Sequence, residues 1–280
     1  MKKALPLVVA LAALVSSCKK GDDAAPDPTL PTGRYLIKTT NTADINRHTM
    51  YEYDNAMLLV AAVGSYADGN EQKVESLVVP SYSGNLLAGL SYNFQAFYRH
   101  RFEYDQLGKL VRAYDVRGNT QTKTSYDSIT YNEAGQIKYL FRKSKEGNAP
   151  ATLDSAIFLD WNATGNITDI YTGSAHDSSN LRTKFTHRIH CLYSGTKQNP
   201  YYKIAFPLFW TSPEHYGFLS REALERKEYY RKSGAEAYRL VEYSYSFDNE
   251  GYPVTRTEKT GTAIGVMTEV ETLSFQYTSK

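Results

Sequence analysis

His187, His190 and Cys191 carry the side chains that bind metals, and Glu269 with Glu271 form a close carboxylate pair of the kind hydrolases use. Their spacing decides how far that goes. On a strand His187 and His190 point to opposite faces, while His187 and Cys191 share a face about 13 Å apart. Neither spacing chelates an ion, so solvent-facing histidines and a core cysteine are the plainer expectation. Glu269 and Glu271 share a strand face, as any exposed charge pair would, and a solvated face accounts for them. No HExxH, CxxC or calcium-loop phrase occurs, and no Gly-x-Ser-x-Gly elbow. Ser83, in Ser81-Tyr82-Ser83-Gly84, reads as turn material. No catalytic residue, metal or cofactor is assigned.

Aromatic residues are the remaining chemical resource. The chain has 24 tyrosines, a residue that suits half-buried sheet faces because its ring packs while its hydroxyl stays wet. Seven aromatic residues, Tyr, Phe and Trp together, crowd into 199–219, which Pro200, Pro207 and Pro213 prevent from continuing a strand pattern. This segment is expected to be a lid over the mouth of the sheet. The alternative is a stacking platform for a glycan or peptide, with Trp210, Tyr202 and Tyr216 as its candidates.

One more residue has a covalent chemistry of its own. Met1-Lys2-Lys3, an apolar run from Ala4 to Val15 and then Ser16-Ser17-Cys18 have the layout of a secretory signal peptide. The apolar run is shorter than the about 20 residues a spanning helix needs. Cys18 after two small residues reads as a lipobox cysteine, acylated once residues 1–17 are removed. An ordinary signal peptide that happens to contain a cysteine is the competing reading. Residues 18–32, rich in Pro, Ala, Asp and Lys, cannot bury a core and are expected to be a flexible tether.

Removal of the leader takes Lys2 and Lys3 from the 32 Lys and Arg, which leaves 30 against 30 Asp and Glu. A balanced chain without a clustered basic face argues against a nucleic-acid partner. Cys191 would be the one cysteine of the folded part, so an internal disulfide is excluded. Residues 33–280 are long enough to form a single large domain.

The positions of these residues depend on a phrase that recurs along the chain. Phe102-Glu103-Tyr104-Asp105 with Gly108 and Leu110 is matched by Ile129-Thr130-Tyr131-Asn132 with Gly135 and Ile137. It returns as Leu159-Asp160-Trp161-Asn162 with Gly165 and Ile167, and as Tyr245-Ser246-Phe247-Asp248 with Gly251 and Pro253. A worn copy at Tyr51-Glu52-Tyr53-Asp54 has Met57 in the glycine position, and Ile189–Tyr193 begins another with an expanded turn. Asp or Asn followed three residues later by Gly fits a turn in which the side chain caps the backbone and Gly takes positive φ. Each copy is therefore a β-hairpin. With the alternating stretches between copies, this predicts an all-β antiparallel meander of about 14–16 strands, curved or partly closed and water-soluble. Residues 222–232 fit either helix or strand, with strand narrowly preferred.

The Tyr-x-Tyr-Asp-x-x-Gly phrasing resembles the YD repeats of Rhs-type proteins. With the lipobox, the Asn199-Pro200 break and the late Phe247–Pro253 copy, the chain resembles a Bacteroidetes lipoprotein family of the domain-of-unknown-function kind with a porin-like fold. That resemblance implies an outer-membrane lipoprotein held to the membrane by its N-terminal lipid. Asp22-Asp23 near Cys18 resembles the surface-export signal of such proteins. Asp127-Ser128-Ile129 and Asp154-Ser155-Ala156 match the O-glycosylation site of exported Bacteroidetes proteins. A lipid-inserted barrel is not expected, because both faces of 109–117 carry charge and the chain lacks a terminal aromatic. The functional expectation is a non-catalytic binding module for a glycan, peptide or partner protein. A surface polysaccharide hydrolase and a purely structural envelope protein are the alternatives.

Overall fold

The computed structural model describes residues 34–279, apart from 93–97, 118–121, 145–150, 175–179, 211, 233, 263, 264 and 266. The leader, Cys18 and the tether lie outside the described residues. Sixteen antiparallel strands run in sequence order around a closed barrel. The first eight are β1 (Arg34–Asn41), β2 (His48–Tyr53), β3 (Leu59–Asp68), β4 (Glu71–Ser83), β5 (Leu86–Tyr92), β6 (Tyr98–Tyr104), β7 (Leu110–Arg117) and β8 (Thr122–Tyr131). The second eight are β9 (Ile137–Ser144), β10 (Thr152–Trp161), β11 (Ile167–Ser174), β12 (His187–Gln198), β13 (Glu222–Arg231), β14 (Arg239–Phe247), β15 (Pro253–Gly261) and β16 (Thr268–Ser279). The expected meander is present, and residues 222–231 are a strand. Closure is complete rather than partial, because β1 pairs with β16 from Arg34↔Ser279 to Asn41↔Leu273 and leaves no edge.

The repeat has a shared local geometry. Asp105 Oδ1 accepts the backbone N–H groups of Leu107 and Lys109, and Gly108 takes φ 74°. Asn162 and Asp248 hold their turns in the same way, with φ of 84° at both Gly165 and Gly251, and Gly135 has φ 75°. In the worn copy Asp54 keeps the cap and Met57 itself adopts φ 62°. Just before each of these turns the strand register slips by one residue, as at Glu103/Tyr104, Thr130/Tyr131 and Asp160/Trp161. Such a bulge bends and twists the strand, and its repetition in every hairpin at this end favours curvature toward closure.

The aromatic before each turn has a second task. Tyr131 donates its hydroxyl to the Leu110 carbonyl at 2.7 Å, on the neighbouring hairpin. Tyr53 does the same to Leu36, Tyr104 to Leu87, Tyr193 to Ile167 and Tyr277 to Pro253. Trp161 uses its indole N–H on Ile137, and Tyr245 reaches Leu224 where Phe247 has no donor. Each accepting carbonyl lies two residues beyond the last ladder pair between the two hairpins, as Leu110 lies beyond Arg112↔Ser128. The side chain thus satisfies a backbone group that the tilted ladder leaves unpaired. Six of the 24 tyrosines are accounted for by this stitching.

Strand alternation places Ile189, Cys191, Ile170 and Leu159 inside the barrel and Arg188, His190 and Asp169 outside. Because the strands alternate in direction, the start of β1, the end of β16 and all the repeat turns share one end. The β12–β13 connection, residues 199–221, lies at that end too. It contains a short helix α1 (Ala205–Phe209) and a 3-10 helix (Pro213–Leu219), and it folds into the lumen as a plug. Trp210 meets Phe102 of β6 at 5.9 Å, while Phe218 meets Tyr243 of β14 at 5.5 Å. Those strands are on opposite sides of the barrel, so the plug spans its whole width.

Candidate functional site

The plug fixes what its aromatics can do. Asn199 anchors it, donating its side-chain amide to the Phe218 and Ser220 carbonyls while accepting the Tyr201 N–H. Tyr216 donates to the Trp210 carbonyl at 3.0 Å, and the two rings stack at 6.1 Å. Each is only 3% exposed, and Tyr202 is 43% exposed. Tyr202 stands apart, its hydroxyl accepting from Arg221 Nε at 3.2 Å. The structure therefore brings Trp210 and Tyr216 together as packing and leaves Tyr202 outside. The three do not form a stacking platform, because two of the rings have both faces enclosed by the core. Gly217 shows how tight the fit is: a Cβ there would approach Leu224 at 3.1 Å and the Cys191 sulfur at 3.2 Å.

Away from the turns the lumen becomes polar, in two separate places. On the β6–β9 wall, Arg142 Nε and Nη2 hold both oxygens of Asp127 at 2.7 and 2.9 Å, and its Nη1 pairs with Asp115. His100 Nδ1 lies 2.9 Å from Asp115, and Ser125 donates to the same carboxylate at 2.9 Å. Burial by itself would raise the Asp115 pKa. The His100 hydrogen bond and the Arg142 charge outweigh it and bring the group down to about 2. Asp127, more deeply buried, is drawn upward by desolvation despite Arg142.

The other polar wall runs over β13–β16 and borders a cavity of about 380 Å³ between the plug and the far end. Arg256 of β15 is held there by Glu271 at 2.7 Å and Glu258 at 3.6 Å. Lys227 of β13 is 4% exposed and donates to the Glu214 carbonyl at 3.2 Å. Its ammonium lies 5.4–5.7 Å from the rings of Tyr243, Phe218 and Tyr229, and burial lowers its pKa to about 8. Arg239 of β14 lies over the Tyr229 ring at 4.9 Å. Among the described residues neither Lys227 nor Arg239 has an ion-pair partner, and the buried Tyr229 hydroxyl and Arg256 Nε have no hydrogen-bond partner.

The metal candidates are dispersed. His190 and Arg188 both bind Asp169 on the outer wall, at 3.0 and 2.7 Å. Cys191 faces the core, where burial pushes its thiol up to about 12, and His187 is exposed. Among the described residues no cluster could hold a metal. Glu269 and Glu271 do not share a face. A bulge between them aligns Glu271 with Glu258 inside the barrel and Glu269 with Lys259 outside. Ser128 and Ser155 are both within strands, and alternation with Ile157 points Ser155 into the lumen. Sequence reasoning missed Lys227, Tyr229, Arg239 and the Arg142 cluster. The local sequence holds no signal for Lys227, which on strict alternation shares its row with Glu225 and Arg231 and reads as one more solvated charge.

Comparison with known proteins gives the fold alone. No family model matches the chain, and no curated protein does. Among solved structures it is similar to a porin-like protein from Bacteroides uniformis, at 14% identity and a TM-score of 0.57, over 88% of this chain and 97% of that one. A porin-like protein from Bacteroides vulgatus is also similar, at 14% identity and a TM-score of 0.51, over 88% and 99% of the two chains.

Proposed function

We propose that this chain is a non-catalytic binding protein of the outer membrane, tethered by a lipid on Cys18, with its barrel standing in water rather than in the bilayer. The plug carries this reading. It blocks the lumen for permeation and converts the barrel into a cup, closed at the end where the tether enters. The cavity then lies on the side away from the anchor, where a small molecule or chain end from outside would arrive. The outer wall supports a watery setting, with Arg188–Asp169–His190, Arg226–Glu228 at 3.0 Å and Glu103–Arg112 at 3.5 Å facing outward on different parts of the circumference. Charges at mid-height on a lipid-facing strand cost roughly 2–4 kcal/mol each.

The test separates tethering from insertion. Full-length protein and a Cys18→Ala variant are expressed in a Gram-negative host, labelled with a lipid precursor and fractionated. The expected result is loss of label, with the variant either left unprocessed or released as a folded barrel into the aqueous fraction. Retention in the membrane fraction of unlabelled protein from which the leader has been removed would overturn the reading in favour of an inserted barrel.

A further inference from the structure

The cavity wall has a chemical bias that the plug does not explain. Lys227, Arg239 and the Tyr229 hydroxyl all line it, and Tyr229 is the ring that both cations flank, at 5.7 and 4.9 Å. All three offer hydrogen-bond donors. The Tyr229 side chain is 4% exposed with its hydroxyl unpartnered among the described residues, and Arg256 Nε, bordering the same space, is in the same condition. A buried donor left unmatched costs free energy, and native structures rarely leave several in one place. Three acidic groups line the cavity: Glu258 and Glu271 are turned to the Arg256 terminus, while Glu214, which is exposed, meets Lys227 through its backbone carbonyl and forms no ion pair among the described residues. The aromatic faces around Lys227 soften the cost of its charge without giving it an acceptor.

We propose that Lys227, Tyr229, Arg239 and Arg256 Nε form a lumenal site for an oxyanion, taking the carboxylate or sulfate of a small acidic molecule of sugar-ring size. An oxyanion supplies the acceptor lone pairs that the Tyr229 hydroxyl and Arg256 Nε lack, and the charge that Lys227 and Arg239, lining the same cavity, lack. The cavity of about 380 Å³ is within the range of small-ligand sites. Tyr243 and Phe218 line the same space and make part of its wall apolar. This rests on the cup reading above only in taking the lumen as the binding space, and it makes no use of the lipid anchor.

Full-length protein in mild detergent is titrated calorimetrically with galacturonate, glucose, N-acetylglucosamine 6-sulfate, acetate and inorganic sulfate, with thermal melts in parallel. The acidic sugars should bind and raise Tm, and glucose should do neither. Binding by acetate or sulfate alone would show that the anionic group suffices, and its absence that the sugar body is needed. Tyr229→Phe, which removes one oxygen atom and is safe for folding, should weaken the acidic sugars about tenfold. Lys227→Met should abolish the response. Arg226→Met, on the outer wall of the same strand, should leave it unchanged. Failure of every acidic probe to bind wild type, or equal binding by Tyr229→Phe, Lys227→Met and wild type, would overturn the site. Those results leave the Cys18→Ala outcome untouched, so the two ideas can fail separately.

Discussion

On the β6–β9 wall Arg142 faces two carboxylates, and those carboxylates have His100 and Ser125 as further partners. On the β13–β14 wall Lys227 has one backbone carbonyl and a ring of aromatic faces, and Arg239 has one ring. Both walls bury charge in the same lumen, and desolvation acts on both. Where each charge has its complement inside the chain, the cluster ties four strands together. Where the complement is missing, the arrangement costs stability, and such a cost is characteristic of sites kept for a ligand. The contrast separates a structural cluster from a binding one more surely than residue types do.

The largest effect expected from breaking this contrast is at Arg142. Arg142→Met leaves Asp115 and Asp127 facing each other in the lumen, with His100 and Ser125 on Asp115 and no cation on Asp127 among the described residues. Removing one partner of a buried ionic cluster costs about 3–5 kcal/mol, read by urea denaturation at neutral pH. The wild type has a pH signature of the same cluster. Asp115 is depressed to about 2, so its contribution is complete above the unfolded value of 3.8 and is lost as pH falls from there toward 2. The loss should amount to about 2 kcal/mol, and a flat profile over that window would show that the cluster does not stabilise the fold.

Lys227→Met should act in the opposite direction, by a smaller amount. Replacing the unpaired ammonium with a side chain of similar length is expected to stabilise the unliganded protein by about 2 kcal/mol at pH 7. The sign follows from the lowered pKa. Between about 8 and 10.5 the unfolded chain holds the Lys227 proton and the folded chain does not, so wild-type stability should rise across that window. In Lys227→Met that rise should disappear. If the variant is instead destabilised with the rise intact, the ammonium already has its complement and the two walls are alike.

The hairpins could be read from the sequence because their signal is local. Asp105 and Gly108 lie within one turn, and the cap and positive φ follow from their chemistry at that spacing. Strand 222–231 was ambiguous because its residues suit a helix between Ser220 and Gly234 as well as a strand ending in Tyr229-Tyr230. Closure could not be read, since it depends on β1 meeting β16 across the whole chain. Glu269 and Glu271 misled for a related reason: one bulge reverses a face, and no residue type announces it. The aromatic segment 199–219 was legible as a lid, but which rings its two short helices bury was not. The tyrosine stitches bridge 17–26 residues, so they become visible only when the register between hairpins is known.

The smallest expected effects sharpen the comparison at the level of single hydroxyl groups. Tyr131 is half-buried and donates to Leu110 at 2.7 Å, while Tyr229 is buried and donates to nothing among the described residues. Tyr131→Phe should therefore cost about 1 kcal/mol, since it leaves the Leu110 carbonyl unmatched at the barrel rim. Tyr229→Phe removes an unsatisfied hydroxyl and keeps the ring over which Lys227 and Arg239 lie, so its cost should be close to zero or slightly negative. Paired melts of the two variants without ligand measure this directly. Equal losses would mean that the Tyr229 hydroxyl already has a partner, such as bound water, which would remove one of the four donors from the oxyanion site. Unequal losses in the expected order would show that the barrel spends its hydroxyls on closure at the turn end and holds one back in the lumen.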